Sequence, residues 1–439
     1  MKNQKISLIF EYNMPMKNFK SYYSYLLQYF ENSPSVEDEA WRDIINLDTI
    51  DLTLRTYLSS EEMKEAGSFF TGQALATKAV NCFNVPISEH SRVIDVTCGA
   101  GNLLIECSRH LTVRESLTAT LQFWGEVLWG FDIHESFVAC TKARLTLEAL
   151  RRGCKKDCSI ASAMALLRNI CVRDAMSVTS QDLDTITHFI INPPFSNWKL
   201  GKNHLWGNGK INAAAVIFNY YLDILPNGCQ VSAILPEVIR SGARYQLLRN
   251  AIEERLQAEC KVWGRFNQKT DIDVFNLYGQ KYSSNHVIAW QKSYDKYPTL
   301  SEKFDVFIGP LVAYRDKEEG DEYPYIHAKN CARCQEITSI NEKRKFQGKV
   351  IEPPFVVIKR TSSPSDKVRA SASLVITNDA KIAVENHLIV VKPKDGSISN
   401  CRTLLKLLES KHVNDYFNDT IRLRHLTVQS IKNVPYIKL

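Results

Sequence analysis

The sequence lacks any long uninterrupted apolar run. None of its 439 residues lies in a stretch approaching the roughly 20 apolar residues that a membrane-spanning helix needs. The opening residues, MKNQKISLIFEYNMP, also lack the apolar centre and small-residue cleavage site of a secretory signal. Hydrophobic residues make up 44% of the chain and charged residues 23%, which is typical of a globular protein. We therefore expect a cytoplasmic protein that has no membrane partner.

The sequence also lacks a pattern of paired cysteines. Its 12 cysteines are scattered, and several, such as Cys98 and Cys107, fall inside helix or strand patterns. This predicts reduced, packed thiols and no disulfide framework. One cluster, HAKNCARC, brings together His327, Cys331 and Cys334, but no second pair of ligands follows nearby, and a structural zinc site needs four ligands. We predict a surface loop there, with no metal.

The net positive charge is concentrated in the C-terminal quarter of the chain. Residues 341–439 carry 18 Lys and Arg against 9 Asp and Glu, whereas the rest of the chain is close to neutral, within an overall net charge of +7. A localised basic excess indicates a polyanionic partner such as nucleic acid. The alternative is a solvated surface that is basic without a partner.

Apolar strand patterns alternate with helical patterns from about residue 90 onwards. The segment SRVIDVTCGAGNLLIECSRHL predicts a strand, a glycine turn and a helix. Two further strands are predicted to end at Asp132 and at Asp174, and others lie in THFIINPPF and in GCQVSAILPEVI, with CKVWGRFN and SNHVIAWQK as the last two. The alternation predicts an α/β fold built on a doubly wound, mostly parallel, seven-stranded sheet.

Changes of pattern divide the chain into three predicted regions. We expect an N-terminal helical segment at 1–60, a catalytic domain at 61–295, and a β-rich domain at 300–439 that ends in the helical CRTLLKLLESKHVNDYF. The stretch 106–127 lengthens the first helix-to-strand connection. The sequence leaves open whether this stretch decorates the surface or contacts a partner.

Polar residues follow four of the predicted strands. Asp95, Asp132, Asp174 and Asn192 each lie at or just after a strand end. Because ligands of open α/β sheets bind at the carboxyl ends of the strands, we expect these four side chains to converge on one site.

The turn DVTCGAG allows a ligand to approach the backbone closely. The third glycine of the dinucleotide-binding fingerprint is missing, which favours a cofactor without a pyrophosphate. Asp132, at the end of the next strand, is suited to accept hydrogen bonds from ribose hydroxyls. Capping of the following helix is the alternative role for this residue.

The order of five motifs, GSFFTG, DVTCGAG, GFDIH, RDAM and NPPF, resembles the S-adenosylmethionine-dependent adenine-N6 DNA methyltransferases of the gamma class. That class includes type I modification subunits and single-chain type II enzymes. The resemblance covers roughly 61–290 and continues more loosely to the C-terminus. It implies a class I methyltransferase fold, S-adenosylmethionine as cofactor and double-stranded DNA as substrate. It also implies a restriction–modification system, in which a restriction or specificity subunit is a possible partner.

The NPPF motif can perform the methyl transfer without a charged base. The side-chain oxygen of Asn192 and the carbonyl of Pro193 can accept both hydrogens of an adenine amine, so that its lone pair points at the methyl group. Pro194 helps to stiffen the turn, which holds this geometry in advance. Phe195 offers a flat ring on which an extruded base can stack.

The resemblance also implies a set of cofactor-binding residues, namely Phe69, Phe70, Thr71, Asp95, Gly99, Gly101, Asp132, Ile133 and Asp174. The first three would close the pocket, and Asp95 with the two glycines would line the methionine portion. Asp132 would hold the ribose beside Ile133, which would contact the adenine ring, and Asp174 would accept from the adenine amine. We also predict that Thr71 caps a helix that begins near Gln73. The family often has proline after this threonine, whereas this chain has Gly72.

Recognition of DNA is expected in the C-terminal region. Lys359, Arg360, Lys367 and Arg369 flank TSSPSD and could contact phosphates or guanine edges. Solvated loop charge is the alternative. A methyltransferase acting on RNA or on protein glutamine, and a non-catalytic DNA-binding subunit with a vestigial methylase fold, also stay open as functions.

Overall fold

The computed structural model of the protein describes residues 19–32, 44–50, 70–267, 270–282 and 286–437. The chain divides into two compact units. The first unit runs to Pro236 and resumes with Gln246–Ile288, and the second consists of Glu237–Tyr245 and the chain from Ala289 onwards. No helix among the described residues combines the length and the apolar character needed to cross a membrane.

The first unit is built on a seven-stranded sheet. Its strands in chain order, together with a separate two-stranded hairpin (β5 and β6), are β1 Val93–Asp95, β2 Leu128–Asp132, β3 Ile170–Val172, β4 His188–Ile191, β5 Asn197–Asn203, β6 Gly207–Asn212, β7 Gln230–Pro236, β8 Leu256–Arg265 and β9 Asp273–Lys281. The sheet order is β3-β2-β1-β4-β7-β9-β8. The first five strands in this order are parallel, and β9 is antiparallel to both of its neighbours. The predicted fold class is therefore confirmed.

Helices connect the strands of this unit. Those described are α1 Phe19–Glu31, α2 Gln73–Val80, α3 Asn102–Ser108, α4 Leu117–Val127, α5 Glu135–Arg151, α6 Ile160–Leu166, α7 Ala213–Ile224 and α9 Gln246–Glu253. Helix α4 lies in the stretch 106–127, whose role the sequence left open. Its Leu117, Leu121 and Trp124 are fully buried, and the Trp124 indole donates to the Thr112 carbonyl at 3.0 Å. The stretch contributes to the core of the first unit.

The prediction for the last strand of the sheet was wrong. The strand is β9, Asp273–Lys281, and SNHVIAWQK is not a strand where it is described. Strand β9 lies between β7 and β8, and eight of its nine residues are buried, so it shows no alternation of apolar and polar residues. Its Gly279 is required, since a Cβ there would lie 2.0 Å from the Gln257 carbonyl oxygen. By contrast, Val287 in the apolar run VIAW is 86% exposed.

The second unit is rich in β structure, as expected for the C-terminal region. Its strands are β10 Phe304–Ile308, β11 Asp321–Ile326, β12 Glu336–Ile337, β13 Lys343–Phe346, β14 Phe355–Lys359, β15 Ala372–Val375, β16 Ala383–Val384 and β17 Leu388–Pro393. They form a sheet of order β10-β17-β14-β15-β12 and a smaller one of order β13-β11-β16. The helices of this unit are α8 Glu237–Ser241, α10 Leu300–Lys303, α11 Ile398–Glu409, α12 Lys411–Thr420 and α13 Val428–Lys432.

The core of the second unit forms where α11 to α13 pack against the larger sheet. Leu404 and Phe417 from the helices share one apolar cluster with Val356 and Val391 from the strands. The predicted C-terminal helical segment is two helices, because the side chain of Ser410 accepts from the Val413 N–H and begins a new helix.

Candidate active site

Four polar strand ends meet in one cleft of the first unit. Asp95 ends β1, Asp132 ends β2, and Asp174 and Asn192 follow β3 and β4 closely. All four line the same cleft, which has an empty volume of about 850 Å³ including the solvent at its mouth. Since these strands are parallel neighbours, their carboxyl ends lie along one edge of the sheet, as the sequence predicted.

The glycine turn between β1 and α3 forms one wall of this cleft. Gly99 has φ +51° and Gly101 has φ +87°, conformations that favour glycine. A Cβ on Gly101 would also lie 2.7 Å from the side chain of Thr141. The Thr141 hydroxyl donates to the Gly99 carbonyl at 2.7 Å, and the Gly99 N–H donates to Asp132 Oδ2 at 3.0 Å. The turn is thereby held against the end of β2.

Two carboxyl groups at the base of the cleft are strongly affected by burial. Asp95 is 2% exposed, and burial raises the pKa of its carboxyl to about 8, with the nearby Asp132 carboxylate raising it further. Its hydrogen bond from the Thr97 N–H, at 3.0 Å, offsets only part of this effect. Burial also raises the pKa of Asp132. Asp132 Oδ1 accepts from the His134 N–H at 2.9 Å, but His134 is itself the N-cap of α5, so Asp132 does not cap this helix.

Thr71 joins two sides of the cleft and does not cap a helix as predicted. The N-cap of α2 is Gly72, and the Gln73 N–H donates a hydrogen bond to Asp48 Oδ1 at 2.8 Å. A Cβ at position 72 would lie 2.6 Å from that oxygen, so a side chain there would have to displace the Asp48 carboxylate. The Thr71 hydroxyl instead accepts from Asn192 Nδ2 at 3.0 Å.

A buried polar network fixes Thr71 from behind. Asn102, the first residue of α3, donates to the Thr71 carbonyl at 2.7 Å and to the Leu47 carbonyl at 3.1 Å. The oxygen of Asn102 accepts from the fully buried Arg144 at 2.7 Å. Arg144 also donates to the carbonyls of Ile44 and Ala100. The network therefore links the segment before α2, the glycine turn and α5.

The NPPF turn follows β4 directly. Pro193 is buried, and Pro194 lines the cleft with Asn192. Phe195 is only 5% exposed and packs edge-to-face on Phe266 with 5.7 Å between ring centroids. A stacking role for Phe195 stays a prediction. Trp198, which the sequence reasoning did not single out, lines the cleft three residues further on.

The upper wall of the cleft is apolar. Ile133 is 47% exposed although it is a large aliphatic side chain, and it lines the cleft with Phe70 and Phe137. Phe70 packs edge-to-face on Phe137 at 5.7 Å. Asp174 is exposed at the cleft, where one carboxylate oxygen accepts from the Met176 N–H at 2.9 Å.

The structure brings together most of the predicted site residues. Those that line the cleft are Phe70, Thr71, Asp95, Gly99, Asp132, Ile133, Asp174, Asn192 and Pro194. Gly101, Pro193 and Phe195 lie next to lining residues in the chain, and Phe69 lies outside the described residues. Residues that the sequence reasoning missed include Trp198, His134, Arg173 and Met176. Each lies within three residues of a predicted strand end or of NPPF, and that proximity was the available signal.

The four basic residues expected to contact DNA lie in the second unit and differ in exposure. Lys367 is exposed, while Lys359 and Arg360 are half-buried, with Arg360 donating to the Asn386 carbonyl at 3.0 Å. The prediction that Arg369 contacts DNA was wrong, because only 1% of this residue is exposed.

The Arg369 guanidinium is satisfied within the second unit. It donates to the Ser362 hydroxyl at 2.7 Å, to the Asn418 side chain at 2.9 Å and to the carbonyls of Ile421 and Leu423. Arg369 therefore stabilises the second unit and does not present its charge to a ligand.

The cluster considered for zinc is not assembled as a metal centre. His327 pairs with Glu342 at 2.8 Å, and the buried Cys331 contacts the Ser373 hydroxyl at 3.0 Å. In the part of the chain that the structure describes, no three His, Cys, Asp or Glu side chains are grouped so that they could hold a metal ion.

The strand order and the cleft at the strand ends define the fold of a class I S-adenosylmethionine-dependent methyltransferase. Residues 48–221 match the model of a family described as N-6 DNA Methylase. This match confirms the resemblance to adenine-N6 DNA methyltransferases, although it covers less than half of the chain. A search of curated proteins gives no significant match.

The chain is similar to solved structures of restriction–modification enzymes. The type IIL enzyme MmeI in complex with DNA is 11% identical, with a TM-score of 0.51 over 90% of this chain and 70% of that one. The type IIG endonuclease BpuSI is 12% identical, with a TM-score of 0.46 over 89% of this chain, which spans 61% of the BpuSI chain. A type I methyltransferase subunit from Streptococcus thermophilus is 15% identical, with a TM-score of 0.38 over 62% of this chain and 55% of that one.

The cleft fits S-adenosylmethionine, the cofactor that the family implies. The exposed Ile133 gives an apolar surface suited to an adenine ring, and Asp132, which lines the same cleft, would accept hydrogen bonds from ribose hydroxyls. Asp95 is a desolvated carboxyl in the same cleft, and a cationic ligand would favour its ionised form. The glycine turn permits close approach of the methionine portion.

Proposed function

We propose that this protein is a site-specific DNA methyltransferase that acts on N6 of an adenine turned out of the duplex, as part of a restriction–modification system. The observation that carries the proposal is the position of Asn192, which lies at the edge of the cofactor cleft with its amide held by Thr71. S-adenosylmethionine supplies an electrophilic methyl group on a sulfonium. The protein must therefore orient a weakly nucleophilic amine towards that group.

The hydrogen bond from Asn192 Nδ2 to Thr71 fixes the orientation of the amide group. An amide carries its oxygen and nitrogen on opposite arms of one plane, so the oxygen of Asn192 is turned away from Thr71. In this orientation it can accept one hydrogen of the target amine, and the Pro193 carbonyl can accept the other. Acceptors that are fixed before the substrate arrives need no reorganisation during transfer, which is an efficient way to lower a barrier.

The second unit is the proposed target-recognition and DNA-binding unit, in line with the domain division predicted from the sequence. Lys367 is exposed there, and Lys359 and Arg360 are half-buried, so all three can still contribute to phosphate contacts. A restriction or specificity subunit is the proposed protein partner.

Transfer of a labelled methyl group tests the proposal. The full chain is incubated with methyl-labelled S-adenosylmethionine and, in separate reactions, with duplex DNA, RNA or total protein. We expect label in DNA, recovered as N6-methyladenine after digestion to nucleosides. The Asn192→Ala variant should lose this activity while it still binds the cofactor.

The same reactions separate the alternatives. Label only in RNA or only in protein glutamine would refute the DNA assignment. Cofactor binding without transfer to any of the three would favour a non-catalytic subunit. Unchanged activity of Asn192→Ala would exclude the proposed role of the amide.

A further inference from the structure

The β5–β6 hairpin, Asn197–Asn212, carries positive charge and no negative charge. Between Asp184 and Asp223 the sequence contains no acidic residue, while it contains Lys199, Lys202 and Lys210, and all three lysines are exposed in the hairpin. No motif used above accounts for this charge. A run of 38 residues without an acid is unusual in a chain that has 48 of them.

The register of the hairpin places two of the lysines opposite each other. Lys199 pairs with Lys210, and the inward-facing pair Trp198 and Ile211 lies next to them in the ladder. Like charges that lie directly opposite on antiparallel strands are destabilising. An anionic ligand on this face would interact favourably with the ammonium groups of both lysines.

The base of the hairpin is fixed to the NPPF turn. The Asn212 side chain donates to the Phe195 carbonyl at 2.9 Å, and the Ala213 N–H donates to the Ser196 carbonyl at 2.8 Å. Asn212 also caps α7 through the Ala214 N–H at 3.1 Å. The hairpin therefore begins and ends at the turn that is proposed to hold the target base.

Distance along the strand then sets the reach of the lysines. Lys199 and Lys202 lie two and five residues beyond Asn197, which is roughly 7 and 17 Å at the usual rise of a strand. Trp198, between them and the turn, lines the cofactor cleft. A nucleotide whose base enters the cleft would thus have its neighbouring phosphates within range of this hairpin.

We propose that the β5–β6 hairpin binds the sugar-phosphate backbone on either side of the extruded adenine. This inference rests on the proposed DNA methyltransferase function and adds to it a phosphate-binding element in the first unit. The contact is independent of base sequence, because lysine ammonium groups act on phosphates as point charges. The recognition of the target sequence stays with other residues.

Salt dependence of DNA binding tests the inference. Affinity of the full chain for a short duplex of mixed sequence is measured over a range of salt concentrations, for the wild type and for Lys199→Ala/Lys202→Ala. Each lost phosphate contact should reduce the slope of log affinity against log salt by about 0.9, so the double variant should lose about 2. Lys199→Arg/Lys202→Arg should restore the slope. The KM for DNA should rise while kcat stays close to the wild-type value.

Arg168→Ala serves as a matched control. Arg168 is exposed and lies two residues before β3, at the edge of the sheet opposite to the strand carboxyl ends. Its removal takes away one positive charge from the same unit, and we expect the slope to stay unchanged. Thermal unfolding of each variant checks that the fold is kept.

Two results would overturn the inference. One is a wild-type slope in the double lysine variant, and the other is the same loss of slope per removed charge in Arg168→Ala, which would indicate a general effect of net charge. A parallel titration with RNA of the same length completes the test, since a slope lost only with RNA would assign the hairpin to RNA. If the wild type neither binds nor methylates duplex DNA, the proposed function itself fails, and this outcome is distinct from a failure of the hairpin alone.

Discussion

The buried carboxyl of Asp95 predicts that cofactor binding releases a proton. Burial raises the pKa of Asp95 from 3.8 to about 8, so the group is largely protonated in the free protein at neutral pH. The methionine portion of S-adenosylmethionine carries an ammonium and a sulfonium, and Asp95 is proposed to line that portion. A cation beside the carboxyl favours its ionised form, so the cofactor should bind more tightly to the ionised protein.

The expected size of the effect follows from the pKa. Below a pKa of about 8, each unit of pH reduces the ionised fraction up to tenfold, which corresponds to about 1.4 kcal/mol. If only the ionised form binds well, the affinity should fall by about 50-fold from pH 8 to pH 6. The cofactor's own α-amino group titrates near 8 and favours binding at low pH, in the opposite direction. The variant Asp95→Asn retains that second effect alone.

Titration calorimetry at pH 6, 7 and 8 measures the affinity for S-adenosylmethionine. Repeating the titration in two buffers of different ionisation enthalpy gives the number of protons released on binding. The wild type should bind more weakly at pH 6 and should release close to one proton at pH 7. Asp95→Asn should release fewer protons on binding. Its affinity for the cofactor should not fall between pH 8 and pH 6. Identical pH profiles for the two proteins would refute the reasoning.

The same shift sets the sign of the effect on stability. Between pH 4 and pH 8 the native state holds a proton on Asp95 that the unfolded chain has released, so the native state binds more protons. The free energy of unfolding should therefore fall as pH rises through this range. Cofactor binding should offset this loss of stability. The difference in the free energy of unfolding between the bound and the free protein should be largest near pH 8.

Two further predictions concern the segment before α2. Thr71→Val removes the hydroxyl that holds Asn192 Nδ2, so kcat should fall roughly three- to tenfold, the value of one hydrogen bond, whereas Thr71→Ser should stay near the wild type. Equal kcat values for the valine and serine variants would exclude this positioning role. Asp48→Ala removes the acceptor of the Gln73 N–H and should lower the free energy of unfolding by about 1 kcal/mol in urea titrations. Gly72→Ala should be destabilising only while Asp48 is present, and additive effects would contradict the contact.

The parallel half of the sheet could be predicted from the sequence because local and global signals agree there. Each of the strands β1, β2 and β4 has a short apolar pattern that ends at a polar residue, and β1 is followed by a glycine turn and a helix. Parallel strands bring their carboxyl ends to one edge, so the convergence of Asp95, Asp132, Asp174 and Asn192 followed from their positions in the chain alone.

The antiparallel end of the sheet could not be predicted in the same way. Strand β9 is buried on both faces between two neighbours and contains Asn276 and Gly279, which single-sequence patterns disfavour in strands. The glycine is needed because the Gln257 carbonyl lies where its Cβ would be. That requirement arises only after the neighbouring strand is in place, so no local pattern contains it.

Side-chain partners that are far apart in the chain could not be predicted from the sequence either. Lys359, Arg360, Lys367 and Arg369 look alike in a charge count, yet the buried Arg369 donates to four acceptors, three of which come from residues 418–423. The hairpin β5–β6 was missed because a polar, glycine-rich stretch is typical of a loop. Its register became visible only in the structure, and with it the opposition of Lys199 and Lys210.

The buried network of Arg144, Asn102 and Thr71 suggests why the chain tolerates a departure from the family pattern. Proline after the threonine would restrict the backbone at position 72, whereas this chain has glycine there and a carboxylate from Asp48 at 2.6 Å from the missing Cβ. Asn102 holds the Thr71 carbonyl at 2.7 Å and is itself held by Arg144. Side chains from α3 and α5 thus supply the rigidity that a proline would supply through the backbone, and the hydroxyl of Thr71 is kept in position for Asn192.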